Sequence, residues 1–521
     1  MKKRKDITKS IAKATPKVQR NRPPTKHEVE WQKKQQIPTN LSEQLIELRK
    51  KDAFRVMPVS DSPWAPTGFG TNTKNISAIF AGEGIHVGYA GCQNPEHAAY
   101  DIEWPLGQDE KKEHIELLPI MHPGEEKFGE KSMDEWIRNF QPNLIFTHLD
   151  VQMFAHIVEK KKPAGIQLPA MKPDGTKFTR IQRQNMVNDA YKRLYAGVPW
   201  KVGGIIPFDG QPAIPEWAPI FQDFDYPVAM SRYGKAVAAA EFPQLKEFNK
   251  KLTYIPHGVD TKFFKPKLVD KGHKAFVVGC VARNQHRKNI PRLIKGFSQF
   301  VKDNDLKPDQ IKLLLHMQWD DYMGWDIDNM TKMYGVREYM YEPVMGSVDA
   351  NQSLTEQEMV DLIYNQMDVF ILPTGGEGFG IPSIEAMSCG VPCALTNYTT
   401  GYELTMMKNP DDLKEEVPLM PLGSDAQNGR DYLDLEKDVS DRGIALPYKD
   451  MWWDTPKRAA PQRALVSEPA IAQAIELYYN NPQLRLEHGK NAREHMKKYY
   501  DWVPVGDKWR TWINNIKKEK K

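Results

Sequence analysis

Residues 375–390, GGEGFGIPSIEAMSCG, set five glycines, two glutamates eight positions apart and a proline directly after the apolar run DVFILPT. Bare backbone at Gly375, Gly376, Gly378 and Gly380 lets a ligand approach closely, and Pro382 suits the first turn of a helix. Unpaired amides at that helix mouth would then point outward as a cradle for an anion. Glu385 falls about one turn inside the helix, and because helical side chains tilt toward the N-terminus its carboxylate leans back to the mouth. Glu377 approaches from the loop, and Gly390 ends the helix. A tight turn and an acid complementing the helix dipole would by themselves account for these residues. A second stretch, GCVARNQHRKN, adds Arg283 and Lys288 just after the apolar run AFVVGCVA. Two cations at a strand end, across from an amide cradle, are what a diphosphate requires.

The elements that would carry these residues alternate in type. AFRVMPVS, IHVGYAG, LIFTHLD, KVGGIIPFD and YPVAMS read as buried strands, with helices such as NTKNISAIFAGEG and SMDEWIRNF between them. After the Gly- and Pro-punctuated segment 252–268 a second series follows, AFVVGCVA, IKLLLHMQ, DVFILPT and VPCALTN. In NIPRLIKGFSQFV, Ile290, Leu293, Ile294, Phe297 and Val301 share one helical face, and Thr355 with Glu358 has capping-box spacing. Strands alternating with helices imply a doubly wound parallel sheet, and two such series imply two Rossmann-like lobes with a cleft between the carboxyl ends of their strands.

The 521 residues carry a net charge of +4, unevenly placed. Residues 1–40 hold twelve Lys or Arg against three acids, a net of +9 that leaves −5 for the remainder. With few large apolar residues, this arm cannot bury enough surface to order itself. No run approaches the roughly 20 apolar residues of a membrane span, and the basic N-terminus lacks the apolar stretch of a secretory signal, so a cytoplasmic protein is expected. Cys92, Cys280, Cys389 and Cys393 are too few and too scattered for a disulfide framework or a zinc site, and read as reduced thiols.

With these residues placed, GEGFGIPSIEAMSCGVP resembles the E-x7-E signature of the retaining glycosyltransferases of family 4, which have the GT-B fold. PTGFGTNT resembles their first glycine loop, MSRYGK and IPHGVDTKFFKP the end of their first domain, and ARNQHRKN their phosphate-binding segment. The resemblance covers most of the chain after the arm. It implies an α/β protein of two Rossmann-like domains facing across a cleft, an acceptor-side domain at 41–258 and a nucleotide-sugar domain at 259–500, while the arm at 1–40 has no counterpart in the family's common core. Residues 501–521 would form a helix packing back on the first domain. The polar, proline-punctuated stretch 406–465 is expected as a surface excursion.

The same resemblance implies a hexosyl- or pentosyltransferase that needs no metal and no cofactor beyond its nucleoside diphosphate sugar. Arg283 and Lys288 would hold the diphosphate with the amides of Gly378, Phe379 and Gly380. Glu385 would take the ribose hydroxyls, Glu377 those of the transferred sugar, and Gly68 and Gly70 would face the donor from the opposite lobe. His148 falls near the reacting sugar, with Asp150 as the competing acceptor-side residue. Asp326 and Asp328 mimic the metal motif of the other major glycosyltransferase fold, but here more naturally open a helix. The acceptor stays open among glycan, lipid, protein and nucleic acid. The basic arm would suit an anionic surface, such as the inner face of a membrane, or DNA, as in phage enzymes that glycosylate bases. A glycosidase using Glu377 and Glu385 is the rival chemistry, and a non-catalytic binding protein on the same scaffold the rival class.

Overall fold

The computed structural model describes residues 53–65, 67–92, 98–103, 112–119, 129, 132–160, 200–343, 354–419, 429–454 and 461–519. The basic arm expected at 1–40 lies outside them. The first lobe is built on β1 (Arg55–Asp61), β2 (His86–Cys92), β3 (Ala98–Glu103), β4 (Lys112–Pro119), β5 (Leu144–His148), β6 (Lys201–Ile206), β7 (Tyr226–Ala229) and β8 (Thr253–Tyr254). Among the described residues they form one sheet in the order β3-β4-β2-β1-β5-β6-β7-β8, parallel except that β3 runs against β4. Strands covered on both faces need continuous apolar runs, and β2 is buried along its whole length. Strand β4 was not anticipated, because Glu116 interrupts its apolar pattern. That glutamate is fully buried and lies 2.9 Å from Nε2 of His86 on β2. Helix α1 (Gly68–Gly82) starts where Thr67 Oγ1 accepts the Gly70 N–H at 3.1 Å, and α2 (Arg232–Glu241) is capped likewise by Ser231.

The second lobe is a parallel sheet in the order β10-β9-β11-β12-β13, formed by β9 (Phe276–Val281), β10 (Ile311–His316), β11 (Val369–Leu372), β12 (Cys393–Thr396) and β13 (Gly443–Leu446). Its helices include α3 (Ile290–Asp303), α4 (Ile381–Ser388) and α5 (Thr400–Thr405). On α3 the buried face holds Ile290, Leu293, Ile294, Phe297 and Val301, and Thr355 and Glu358 close a capping box. The stretch 406–465 departs from the expected surface excursion. It supplies β13 as the edge strand of this sheet, paired with β12 from Gly443 to Leu446, and the antiparallel hairpin β14 (Tyr448–Trp453) with β15 (Gln462–Val466). Four residues, GIAL, are too few to show a period, so only pairing with β12 defines that strand.

The lobes are joined by two chain crossings lying side by side. The Val259 N–H donates to the Tyr500 carbonyl at 2.8 Å, and the Trp502 N–H donates to the Val259 carbonyl at 3.2 Å. Helix α6 (Trp502–Glu519) then packs on the first lobe. Trp509 meets Phe146 at 5.5 Å between ring centroids, Trp512 stacks on Phe80 at 6.0 Å, and Lys517 Nζ donates to the Glu83 carbonyl at 3.0 Å.

A third tie is polar and buried. Glu403 on α5, fully buried, accepts the Tyr254 hydroxyl at 2.8 Å and the Arg232 N–H at 2.7 Å, both from the first lobe. The Arg232 guanidinium donates in return to the carbonyls of Pro410, Asp412 and Glu415. Burial pushes Glu403 up to about 7, against the pull of these hydrogen bonds. A carboxyl whose folded pKa is raised stabilises the fold in its protonated form, fully below the unfolded value near 4.5 and decreasingly as pH rises through about 7. Urea titrations should therefore show the wild type losing stability between about pH 5 and 8 relative to Glu403→Gln. Parallel pH curves for the two proteins would contradict this.

Candidate active site

The loop from β11 to α4 holds its shape through glycine. Gly380 caps α4 at φ 94°, a left-handed backbone that L side chains rarely adopt, and Pro382 occupies the first turn. A Cβ at Gly378 would stand 2.3 Å from Met230 Cε of the first lobe. The loop thus lies against the opposite lobe. The N–H groups of Gly378, Phe379 and Gly380 take no partner among the described residues, and they sit at the positive end of α4. Gly68, exposed at the start of α1, faces the same helix mouth, since a Cβ there would come within 2.9 Å of Ile381 Cδ1. Gly70 is different. Its amide is spent on Thr67, and it is buried beneath the Ser62 carbonyl.

Beneath the loop sits an ion cluster. Lys288 Nζ bonds Glu377 Oε1, and Arg287 Nη1 lies 3.4 Å from Glu377 Oε2 and donates to the Gly376 carbonyl at 2.7 Å. Glu377 and Lys288 are both buried. Burial opposes ionisation of Glu377, yet Lys288 and Arg287 overcome it and carry the carboxyl down to about 2. Burial, with Arg287 adding, lowers the Lys288 ammonium. Thr399 holds the Glu377 N–H at 3.0 Å from a strained backbone at φ 53°. Glu377 is therefore a fixed, buried carboxylate within the loop. Arg283 stands apart from this cluster, pairing with Asp321 at 2.9 Å with its side chain 54% exposed. Arg287 is the cation that sequence reading missed. It lies inside the quoted segment, and the turn His286–Lys288 with Asn289 at φ 54° brings it beside Lys288.

The first lobe contributes His148 at the end of β5. The Ser60 hydroxyl donates to the His148 carbonyl at 3.0 Å, and the Thr73 hydroxyl donates to Ser60 Oγ at 3.0 Å. Thr73, with its proton committed, can only accept from His148 Nδ1 at 2.8 Å, which places the ring proton on Nδ1. Nε2 is left as a buried lone pair without a partner among the described residues. Burial, with His257 adding, holds the imidazole neutral by lowering its pKa well below the usual range. His257, a second residue not singled out in the sequence, bridges the lobes, 5.1 Å from the His148 ring and 4.9 Å from Phe379. Asp150, at the start of helix Val151–Glu159, makes no capping bond, and burial together with Asp209 pushes its carboxyl up to about 6 while Arg287 opposes them.

Glu385 is separate from the ion cluster, its carboxylate held by the Tyr364 hydroxyl. Burial raises its pKa against that bond. Asp326 accepts the Asn329 N–H at 2.9 Å as a helix cap, and Asp328 pairs with Lys332 and Arg337, so both carboxylates serve local structure.

The family model described as "Glycosyl transferases group 1" matches residues 349–409, which include the glycine loop and Glu377. The chain is similar to O-antigen chain mannosyltransferase B of Escherichia coli, 29% identical over 133 residues that are 24% of this chain and 31% of that protein. It is also similar to an Escherichia coli galactosyltransferase acting on alpha-D-GlcNAc-diphosphoundecaprenol, 26% identical over 28% of this chain and 37% of that one. The matched region thus spans about a third of each of these relatives. Among solved structures, sucrose-phosphate synthase from Thermosynechococcus elongatus superposes with a TM-score of 0.57 at 15% identity, covering 89% of this chain and 99% of its own. A glycosyltransferase from Rickettsia africae gives 0.54 at 11% identity over 89% and 100%, and Anabaena HepE, solved in complex with UDP, gives 0.50 at 13% identity over 89% and 100%. The segment matched by that family model carries the glycine loop and Glu377, and the two sheets around it share the GT-B fold of these glycosyltransferase structures.

Proposed function

We propose that this chain transfers a hexosyl group from a nucleoside diphosphate donor to an acceptor hydroxyl, with retention at the anomeric carbon and without a metal ion. The observation that carries this reading is the pair of cations, buried Lys288 and partly exposed Arg287, gathered on Glu377 beneath the unpartnered amides of Gly378, Phe379 and Gly380. In the reaction the bond from the anomeric carbon to the diphosphate oxygen breaks and the oxygen keeps the electron pair. Lys288, Arg287, the helix amides and the half-exposed Arg283 meet the charge that develops there. The acceptor oxygen bonds to the same face of the sugar, and its proton passes to the departing phosphate oxygen. Glu377 accepts hydroxyls of the transferred sugar, His148 Nε2 accepts another from the opposite lobe, and Glu385 with Tyr364 takes the ribose. Gly68 leaves room for the donor at the cleft mouth, whereas Gly70 keeps the turn beneath it in shape.

The names of the mannosyl- and galactosyltransferase relatives support a hexose and a glycan acceptor, and the UDP complex of a fold relative supports a nucleoside diphosphate. No helix among the described residues is long and apolar enough to cross a membrane. The reading is completed by a cytoplasmic enzyme whose basic arm at 1–40 meets an anionic surface, most simply the membrane that holds a lipid-linked acceptor. Protein cations in place of a metal predict that a chelator leaves turnover unchanged, and that Arg287→Met weakens nucleoside diphosphate binding about tenfold or more in calorimetry. Loss of turnover in chelator, restored by magnesium or manganese, would overturn the metal-free mechanism.

A further inference from the structure

The hairpin β14–β15 does more than extend the second lobe, because it reaches both sides of the cleft at once. Arg463 on β15 is only 5% exposed. Its Nη1 donates to the Asp209 carbonyl at 2.6 Å, its Nη2 lies 3.1 Å from Asp209 Oδ2, and its Nε donates to Asp454 Oδ2 at 2.8 Å. Asp209 belongs to the first lobe, just after β6. The neighbouring backbone holds the donor loop, with the Ala464 N–H donating to the Gly375 carbonyl at 3.0 Å. A Cβ on Gly376 would sit 2.2 Å from the Asp209 carbonyl and 3.1 Å from Arg463 Nη1, so loop, guanidinium and first lobe are in direct contact. The same seam is closed by the Gln462 N–H on the Gln211 carbonyl at 2.6 Å, and by Tyr398, whose hydroxyl takes the Gln211 N–H at 2.7 Å and donates to the Gln462 carbonyl at 3.1 Å.

We propose that Arg463 is a positioning residue for the donor site, pinning Gly375 and Gly376 to the acceptor-side lobe so that the anion cradle is fully assembled only when the lobes meet. This rests on the glycosyltransferase reading above. A planar guanidinium suits the role, since its fork can hold one carboxylate and a carbonyl on one side while a second carboxylate fixes the other edge. Glu377 follows Gly376 directly, so a shift of the pinned pair displaces the carboxylate and its cations together. Asp150 feels the charges of Asp209, Arg287 and Arg463. The charge on Arg463 is secured by its two acids, which outweigh burial and raise its pKa further.

The test uses the full chain with Arg463→Met, Arg463→Lys and Asp454→Asn, the last loosening the guanidinium from the hairpin side alone. The clasp predicts that donor KM rises and kcat/KM falls about tenfold or more in Arg463→Met, and that Arg463→Lys recovers part of the loss. It also predicts that the hydrogen-bonded amides of residues 375–377 exchange with deuterium about tenfold faster in Arg463→Met while β9 to β12 keep wild-type protection. Should Arg463→Met not fold, Asp454→Asn carries the same two readouts with smaller changes. Unchanged exchange across 375–377 in a folded variant overturns the proposal, as does a faster exchange spread evenly over the second lobe. If the wild type transfers no sugar, the proposed activity fails, yet the exchange arm still decides whether Arg463 pins the loop.

Discussion

Glu377→Gln should lower turnover by about 10²- to 10³-fold while nucleoside diphosphate binds as well as before or better. Glutamine keeps the volume of the side chain and removes its charge. Lys288 and Arg287 are thereby released to a ligand diphosphate, so donor affinity survives while the sugar loses the acceptor that orients it. The substitution also costs stability, because the Glu377 carboxyl is depressed to about 2 and so stabilises the fold above its unfolded value near 4.5, a contribution lost as pH falls through about 2. Breaking a buried pair from one side typically costs about 3–5 kcal/mol, since Lys288 stays buried without a counter-charge. A bound diphosphate supplies that counter-charge. Nucleoside diphosphate should accordingly raise the melting temperature of the variant more than that of the wild type. Turnover within threefold of wild type, in a variant with a native circular dichroism spectrum, would remove Glu377 from the chemistry.

Trp509→Ala should destabilise the protein by about 3–5 kcal/mol, the usual cost of deleting a large buried aromatic side chain. Trp509 is fully buried where α6 lies on the first lobe, within ring contact of Phe80 at 6.2 Å, Phe146 at 5.5 Å and Trp512 at 5.4 Å. Its indole N–H has no partner among the described residues, so the loss is one of packing and not of a hydrogen bond. The C-terminal helix would then belong energetically to the first lobe although it follows the second in sequence. Urea unfolding followed by circular dichroism measures the effect. A change under about 1 kcal/mol would show that α6 is only loosely held.

What could be read from the residues, and what could not, divides along physical lines. The glycine loop was legible because only glycine tolerates the φ of Gly380 and the approach of Met230 to Gly378, and short-range chemistry of that kind leaves its mark in the residue type. The apolar face of α3 was legible from its period. Pairing between cations and acids was not. Arg283 and Lys288 look equivalent in sequence, yet one turns to Asp321 and the other to Glu377, and Arg287 reaches that carboxylate through a turn with no pattern of its own. Arg463 lay further out of reach, since its partner Asp209 is 254 positions away in a stretch that reads as polar surface. Strand β4 was hidden by Glu116, a buried acid paired with the facing His86.

The proposed role of the cations gathered on Glu377 is to hold the diphosphate of a nucleotide sugar whose anomeric bond is broken in this cleft. Its most direct test is nucleoside diphosphate release by the full-length protein from a panel of UDP-, GDP- and ADP-hexoses, with simple aryl glycosides in parallel and Glu377→Gln as the control. Release is expected from at least one nucleotide sugar, lost in Glu377→Gln, with no cleavage of the nucleotide-free glycosides. Cleavage of the aryl glycosides, or equal release by the wild type and Glu377→Gln, would contradict it.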